Sequence, residues 1–146
     1  METNQIQIKY HDPNMPKLEF IDGKSDWIDL RARVGGKFKV GDFALIDLGV
    51  SMKLPEGYEA HMAPRSSTFK NYGILQTNSV AVIDGSYNGT NDIWRMPCYF
   101  TRNTTIQPYD RICQFRIVKN MPPVQFVEKD KLENKDRGSF GTTGVK

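Results

Sequence analysis

Apolar and polar residues alternate along most of this chain with a period of two, the pattern of β-strands that have one buried face. The alternation is clear at Tyr58, Ala60 and Met62, whose intervening residues are polar. On this basis strands are predicted over residues 5–10, 43–48, 49–57 (with a turn), 58–64, 80–83, 94–100 and 113–117, and Val124 and Phe126 open a last one. Residues 27–30 form a short apolar run that is interrupted by Asp29.

No 3.6-residue repeat of apolar positions persists for three helical turns, so a helix-rich domain is not expected. One short helix is predicted over residues 66–72, with Ser66 as its N-cap and Gly73 just past its end. Many short strands separated by glycine, proline and asparagine turns indicate an all-β sandwich or closed barrel.

The chain has 146 residues, the length of a single domain with one core. Apolar residues become scarce from Glu128 onward, where only Leu132, Phe140 and Val145 are clearly apolar. Such a segment cannot bury itself on its own domain. We therefore expect a folded domain over residues 1–127 and a mobile C-terminal arm over residues 128–146.

Composition excludes several classes of protein. The net charge of +3 is too small to indicate a nucleic-acid or membrane surface, and no apolar run is long enough to span a bilayer. The N-terminus lacks a secretory signal. Cys98 and Cys113 are too few for a disulfide framework and are expected to be reduced, as in a cytoplasmic protein. His11 and His61 are isolated, and no zinc-type spacing includes them.

The segment 78–89 carries the strongest candidate chemistry. A strand containing Val80 and Val82 stops at Ile83, so that Asp84 is held at a strand end and Tyr87 follows on the same turn. Asp-Gly and Asn-Gly pairs are also ordinary hairpin signals, so the segment taken alone need be no more than a turn. Four further segments, each with phosphate or metal chemistry of its own, change that balance.

Two of these segments have the composition of anion sites. In the first, residues 64–67 leave a strand and begin the short helix, so that free N–H groups, Arg65, Ser66 and Ser67 suit a phosphate. The second, residues 137–144, combines three glycines with an arginine and hydroxyls, which lets successive N–H groups converge on an anion. It has no GxxxxGK[ST] pattern and is therefore not a nucleotide-binding P-loop. A capped helix and a disordered tail are the ordinary alternatives.

The remaining two segments give weaker signals. Arg111 follows a turn and Gln114 lies within a strand, where glutamine is usually a solvated residue. Asp29 is a lone carboxylate in an apolar run. It can be a simple turn residue or a ligand of Mg²⁺, with water between, because Mg²⁺ loses its water reluctantly.

With these five segments in order, the chain resembles the trimeric dUTPases (deoxyuridine 5′-triphosphate nucleotidohydrolases), in the branch of Gram-positive bacteria and their phages. The segments 82–89 and 137–144 match specific motifs of that family, and those around Asp29 and Arg111 match loosely. The resemblance implies a distorted jelly roll, a homotrimer with active sites at subunit junctions, and an arm that closes over a neighbour's site. It also implies Mg²⁺-assisted hydrolysis of dUTP to dUMP and pyrophosphate.

The same resemblance assigns roles to individual residues. Asp84 would be the general base that activates water, Tyr87 would stack under deoxyribose, Asn78 would read uracil, and Asp29 would help to place Mg²⁺. The triphosphate would be bound by a larger set, namely Arg65, Ser66, Ser67, Gln114, Arg137, Gly141, Thr142 and Thr143.

Departures from the family pattern leave one role open. Only Ser139 separates the Arg-Gly and Phe-Gly pairs of the arm, where the family usually has two more residues. The aromatic residue that covers uracil is therefore either Phe140, the direct match, or Trp94, which is otherwise expected in the core or at a trimer contact.

Two other functions compete with dUTP hydrolysis. A dCTP deaminase shares the fold and the Arg-Ser-Ser segment, but it needs a glutamate after the hairpin, and residues 88–107 contain none. A regulatory protein on the same scaffold would bind protein partners through the hairpin at residues 90–94 or the loops before Asp29, and that role can coexist with catalysis. A plain structural jelly roll leaves the glycine-rich arm unexplained.

Overall fold

The computed structural model describes residues 4–139, which form eleven strands and one short helix. The elements are β1 (Gln7–Tyr10), β2 (Ile28–Arg31), β3 (Gly36–Phe38), β4 (Phe43–Asp47), β5 (Val50–Lys53), β6 (Tyr58–Pro64), α1 (Thr68–Tyr72), β7 (Ile74–Gln76), β8 (Ala81–Ile83), β9 (Arg95–Phe100), β10 (Thr104–Ile106) and β11 (Arg111–Lys119). Within this part of the chain no helix has the length and apolar character needed to cross a membrane.

The strands form four antiparallel sheets, in the orders β2-β11-β6-β8, β4-β9-β7, β1-β5 and β10-β3. Every hydrogen-bonded pair is antiparallel. No two hydrogen-bonded strands of the described chain are consecutive in sequence, so the connections cross between sheets, as they do in jelly rolls. The all-β prediction is confirmed.

The core lies between the two larger sheets. Trp94 is 1% exposed and meets Phe115 edge-to-face, with ring centroids 5.1 Å apart. Phe100 stacks on Phe38 at 4.3 Å. Cys98 and Cys113 are buried among these residues and are not disulfide-bonded. Burial of this apolar area, at about 25 cal/mol per Å², supplies the main force that holds the sheets together.

The strand predicted at Val124 and Phe126 is absent. The last strand ends at Lys119, and described residues beyond it form no helix or strand. Phe126 is 96% exposed, because nothing within residues 4–139 covers it. The alternation that suggested a strand is therefore not matched by burial. Three strands of three residues each, β3, β7 and β10, are too short for a pattern and were not predicted.

The helix begins later than predicted. Its N-cap is Ser67, which makes no side-chain capping bond, rather than Ser66. Gly73 is the C-cap, with φ of 66°, which confirms the predicted end. Val82 in β8 and Val80 just before the strand are both exposed, whereas Ala81 is buried. The predicted strand is thus present, but its small residue faces the core.

Candidate active site

Asp84 is exposed at the end of β8 and begins a tight turn. The N–H of Tyr87 donates to the carbonyl of Asp84 at 3.0 Å, and the Tyr87 hydroxyl donates to the carbonyl of Ile93 at 2.9 Å. These two bonds hold the backbone of Asp84 and the aromatic ring of Tyr87 on one hairpin. A cavity of about 370 Å³ lies against them. Its lining consists of Val82, Ile83, Asp84, Tyr87, Ile93, Trp94 and Arg95.

A second cavity, of about 940 Å³, also borders Asp84 and includes Gly85, Tyr58 and Lys53 in its walls. Gly85 lets the hairpin approach β6 closely, because a Cβ at this position would lie 2.9 Å from the Tyr58 carbonyl oxygen. The carboxylate therefore borders two cavities, a smaller one with several apolar residues in its lining and a wider one with more polar residues. This geometry suits a general base that works between a nucleoside and its phosphates.

The corner after β6 is held by a buried threonine that the sequence reasoning missed. The N–H of Arg65 donates to Thr68 Oγ1 at 2.8 Å, and the Thr68 hydroxyl donates to the carbonyl of Ile112 at 2.9 Å. Thr68 is 1% exposed, so it clamps the corner onto β11. Within residues 4–139 the hydroxyls of Ser66 and Ser67 have no hydrogen-bond partner, which leaves both able to donate to an anion.

Asp29 lies between two arginines. Arg65 Nε is 3.0 Å from Asp29 Oδ1, and Arg111 Nη1 is 3.5 Å from Asp29 Oδ2. A third arginine, Arg31, lies near this group. Its pKa is lowered, mainly by burial and then by the positive charge of Arg111. Three guanidinium groups around one carboxylate leave a net positive surface, which suits a polyphosphate.

Asp29 does not belong to a preformed metal cage. No group of three or more histidine, cysteine, aspartate or glutamate residues within the described range could hold a metal ion. Mg²⁺ in phosphate sites is usually bound by one or two carboxylates, several waters and the substrate's own phosphates. Asp29, with both oxygens already facing arginines, fits such an ion only through water.

Gln114 lies in β11 between its two neighbouring strands. Its Cα partners are Asp29 in β2 and Ala63 in β6. Gln114 Nε2 donates to the carbonyl of Pro64 at 3.0 Å, so this amide supports the residue that precedes Arg65. The structure therefore brings Asp29, Arg65 and Gln114 together, as the sequence reasoning expected.

Asn78 is exposed in the turn between β7 and β8, and a buried glutamine holds it. Gln76 Nε2 donates to Asn78 Oδ1 at 3.0 Å and to the Met62 carbonyl at 3.0 Å. Gln76 was not singled out from the sequence. Its signal was a polar residue at the inward position of an otherwise apolar strand, where Ile74 and Gln76 are both buried.

One chain does not unite all of these residues. In the β6–β8 pair, Ile83 is opposite Ala60 and Ala81 is opposite Met62. Asp84 and Arg65 therefore lie at opposite ends of the pair, roughly 20 Å apart at about 3.3 Å per residue. At this separation, the Asp84 carboxylate cannot act on the same phosphate as residues 65–67 of the same subunit. We call these residues after β6 the basic corner.

The predicted arm residues are only partly described. Arg137 is exposed, and Phe140, Gly141, Thr142 and Thr143 lie outside the described residues. Trp94, the other aromatic residue considered for covering uracil, is buried in the core against Phe115, so it is not a mobile cover.

Known proteins that are similar to this chain belong to one family, and the curated relative given below matches it over nearly its whole length. The family model for dUTPase matches residues 27–144. The SPbeta prophage-derived deoxyuridine 5′-triphosphate nucleotidohydrolase YosS of Bacillus subtilis is 54% identical over 142 residues, which cover 97% of this chain and 99% of that protein.

Solved structures show the same fold at low identity. The dUTPase of Staphylococcus bacteriophage 80alpha, solved with dUpNHpp in work on phage dUTPases that control transfer of virulence genes, has a TM-score of 0.76 at 20% identity and covers 98% of this chain and 100% of its own. A variant dUTPase of phage phi11 of S. aureus, described with a structural Mg(II) ion, has a TM-score of 0.75 at 16% identity and covers 88% and 100%.

Proposed function

This chain belongs to the dUTPase family, and we propose that it hydrolyses dUTP to dUMP and pyrophosphate with Asp84 as the general base. The observation that carries this role is the exposed carboxylate, fixed with Tyr87 on one hairpin at the edge of a cavity of about 370 Å³. Limiting dUTP and supplying dUMP are the consequences for the cell. The family assignment sets the deaminase alternative aside.

The carboxylate acts on water rather than on the substrate. Asp84 accepts a proton from a water molecule, whose oxygen then bonds to the α-phosphorus while the bond to the bridging oxygen breaks and pyrophosphate leaves. Tyr87 is held by Ile93, so its ring offers a fixed platform for the deoxyribose. Such phosphoryl transfer depends mainly on positioning and on electrostatic stabilisation.

The basic corner takes the phosphates in this proposal. Arg65, with Ser66 and Ser67 beside it, supplies donors whose geometry is set by Thr68 and by Gln114. The arm adds Arg137 and the glycines and threonines that follow it. Bound Mg²⁺ neutralises charge on the triphosphate, and Asp29 would hold it through water.

We also propose that the active enzyme is a homotrimer whose sites are shared between subunits. The roughly 20 Å between Asp84 and Arg65 supports sharing, because one chain cannot bring both to one phosphate. Exposed apolar residues after β11, among them Phe126 just before the arm and Leu132 within it, support an arm that packs on another copy. A cytoplasmic location is in keeping with two cysteines that are not disulfide-bonded.

Replacement of the base tests the proposal. In Asp84→Asn, pyrophosphate release from dUTP should fall by at least about a hundredfold, since general-base catalysis contributes roughly 10²–10⁴-fold. Binding of a non-hydrolysable dUTP analogue should stay within a few-fold of wild type. Asp92→Asn, the other carboxylate of the hairpin, is the matched control and should retain turnover. Hydrolysis of dUTP by Asp84→Asn at the wild-type rate would eliminate Asp84 as the base.

A second role, binding of a regulatory protein partner, has one observation in its favour. The loop before β2 exposes Phe20 and Ile21, at 60% and 48%. Single exposed apolar residues are common on protein surfaces, whereas contiguous exposed apolar surface marks interaction sites, and these two residues are contiguous in the loop. This role does not use Asp84, so it would survive in the Asp84→Asn variant, and replacement of both residues by serine would remove it without loss of dUTP hydrolysis.

A further inference from the structure

Gln76 is a buried amide whose nitrogen is surrounded by oxygens. Its side chain is 7% exposed. Nε2 lies 3.0 Å from the Met62 carbonyl oxygen, 3.0 Å from Asn78 Oδ1 and 3.3 Å from the Ser79 carbonyl oxygen. Oε1 is buried without a partner in the described chain. The Gln76 NH₂ group therefore lies among three acceptors, while the Gln76 side-chain oxygen is left without a donor.

These contacts allow only one orientation of the two amides. If the Gln76 amide were reversed, its oxygen would face two backbone carbonyls, which cannot donate. With Nε2 fixed as a donor, Asn78 must offer its oxygen, since its own NH₂ group would face another donor. The orientation of Asn78 is thus imposed by the backbone of β6 and of its own turn.

The turn itself is strained and is tied to the same glutamine. Ser79 has φ of 61°, which is unusual for a residue other than glycine. Its N–H donates to the Gln76 carbonyl at 3.1 Å, and its carbonyl accepts from Gln76 Nε2. Asn78 is exposed, and its NH₂ group has no partner within residues 4–139. The turn therefore presents a hydrogen-bond donor of fixed direction to the outside.

We propose that Gln76 is a positioning residue for base specificity, which acts by locking Asn78 as a donor. A locked donor matches the carbonyl oxygen at position 4 of uracil and opposes the amino group of cytosine at the same position. Without the lock, the Asn78 amide can rotate and accept from that amino group. The inference rests on the proposed function, because it assumes that Asn78 faces the base of dUTP.

The test compares kcat/KM for dUTP with kcat/KM for dCTP. In Gln76→Leu, the dUTP:dCTP ratio should fall at least about tenfold, with the change mostly in KM, because polar mismatch is what rejects the wrong base. Ile74→Val, in the same strand and also buried, is the matched control for lost packing and should leave the ratio at its wild-type value.

A double-mutant cycle shows whether Gln76 acts through Asn78. Asn78→Ala should lower the ratio on its own, and adding Gln76→Leu should lower it no further. Equal additional loss in the double variant, or an unchanged ratio in Gln76→Leu, would overturn the inference. A Gln76→Leu protein too unstable to assay is replaced by Gln76→Met, for which the same ratios decide. Wild-type protein that does not prefer dUTP would instead contradict the proposed function.

Discussion

Arg65 donates from Nε to Asp29 Oδ1 over 3.0 Å and so joins the corner after β6 to strand β2. The two residues are 36 positions apart in the chain. Their pairing sets the direction of the guanidinium, because its Nη1 group also reaches the carbonyl of Arg111 at 3.4 Å. The basic corner is thus oriented before any phosphate arrives.

Asp29→Asn should separate the two roles of this carboxylate. Both partners are partly exposed, so loss of the ion pair should change the free energy of unfolding by only about 0–1 kcal/mol. The Mg²⁺ concentration for half-maximal dUTP hydrolysis should rise several-fold if Asp29 holds the ion through water. The control is Asp47→Asn, whose carboxylate pairs with Arg33. Unchanged Mg²⁺ dependence with lower kcat/KM would show that Asp29 only orients Arg65.

Sharing of the site can be tested by complementation. Asp84→Asn and Arg65→Ala should each be inactive alone, because each destroys one half of every site. When the two are unfolded together and refolded, random assembly gives about one quarter of the sites both intact halves if these come from different subunits. Activity near one quarter of wild type is expected. No recovery from a mixture that forms mixed oligomers would show that each site lies within one chain.

The clamp at the corner predicts unequal effects for two neighbouring hydroxyls. Thr68→Val removes a buried group that bonds Arg65 and Ile112, and should lower the free energy of unfolding by about 1–3 kcal/mol. Ser67→Ala should leave stability nearly unchanged, because the N-cap side chain makes no capping bond. Denaturant melts measure both. A larger loss in Ser67→Ala than in Thr68→Val would contradict the assigned contacts.

Deletion of the chain from Arg137 onward should separate catalysis from folding. The described residues after Lys119 form no helix or strand, so the melting temperature should change by no more than about 2 °C, within the effect of a surface change. Turnover of dUTP should fall by at least about a hundredfold, because the phosphate contacts of the arm are lost. A melting temperature lowered as far as in Thr68→Val would show that the arm is part of the folded core.

The buried cysteines predict a pH effect of definite sign. Burial raises the pKa of Cys98 from its ordinary value of 9.0 to about 12, and burial raises that of Cys113 in the same direction. A raised pKa favours the neutral thiol in the folded state, so this contribution to stability is complete below pH 9 and is lost as pH rises toward 12.

Iodoacetamide at pH 8 should leave both thiols unmodified in folded protein and modify both in urea.

Much of the site was predictable because its chemistry is local in sequence. Asp84 and Tyr87 share one turn, and a strand that stops at Ile83 already places them together. Arg65 and Ser66 follow a strand end in the same way. What could not be predicted were Thr68 and Gln76, whose importance comes from contacts with Ile112 and Met62 on other strands.

The strand prediction succeeded where alternation matched burial and failed where it did not. β6 and β9 each bury every second residue against the core, so their pattern and their structure agree. Val124 and Phe126 alternate equally well, but no strand within residues 4–139 pairs with them. β3 and β10 pair only with each other, over three residues, which is too short for any periodic signal.

Alternation, turn residues and motif spacing lie along one chain, so they were enough to predict the fold class and the family and to propose which groups react. The positions of these groups relative to one another depend on the tertiary structure. The antiparallel register of β6 and β8 puts Asp84 and Arg65 at opposite ends of a strand pair, and cross-strand contacts lock Asn78 through Gln76. Register and burial depend on contacts between residues far apart in the chain, and no local pattern encodes them.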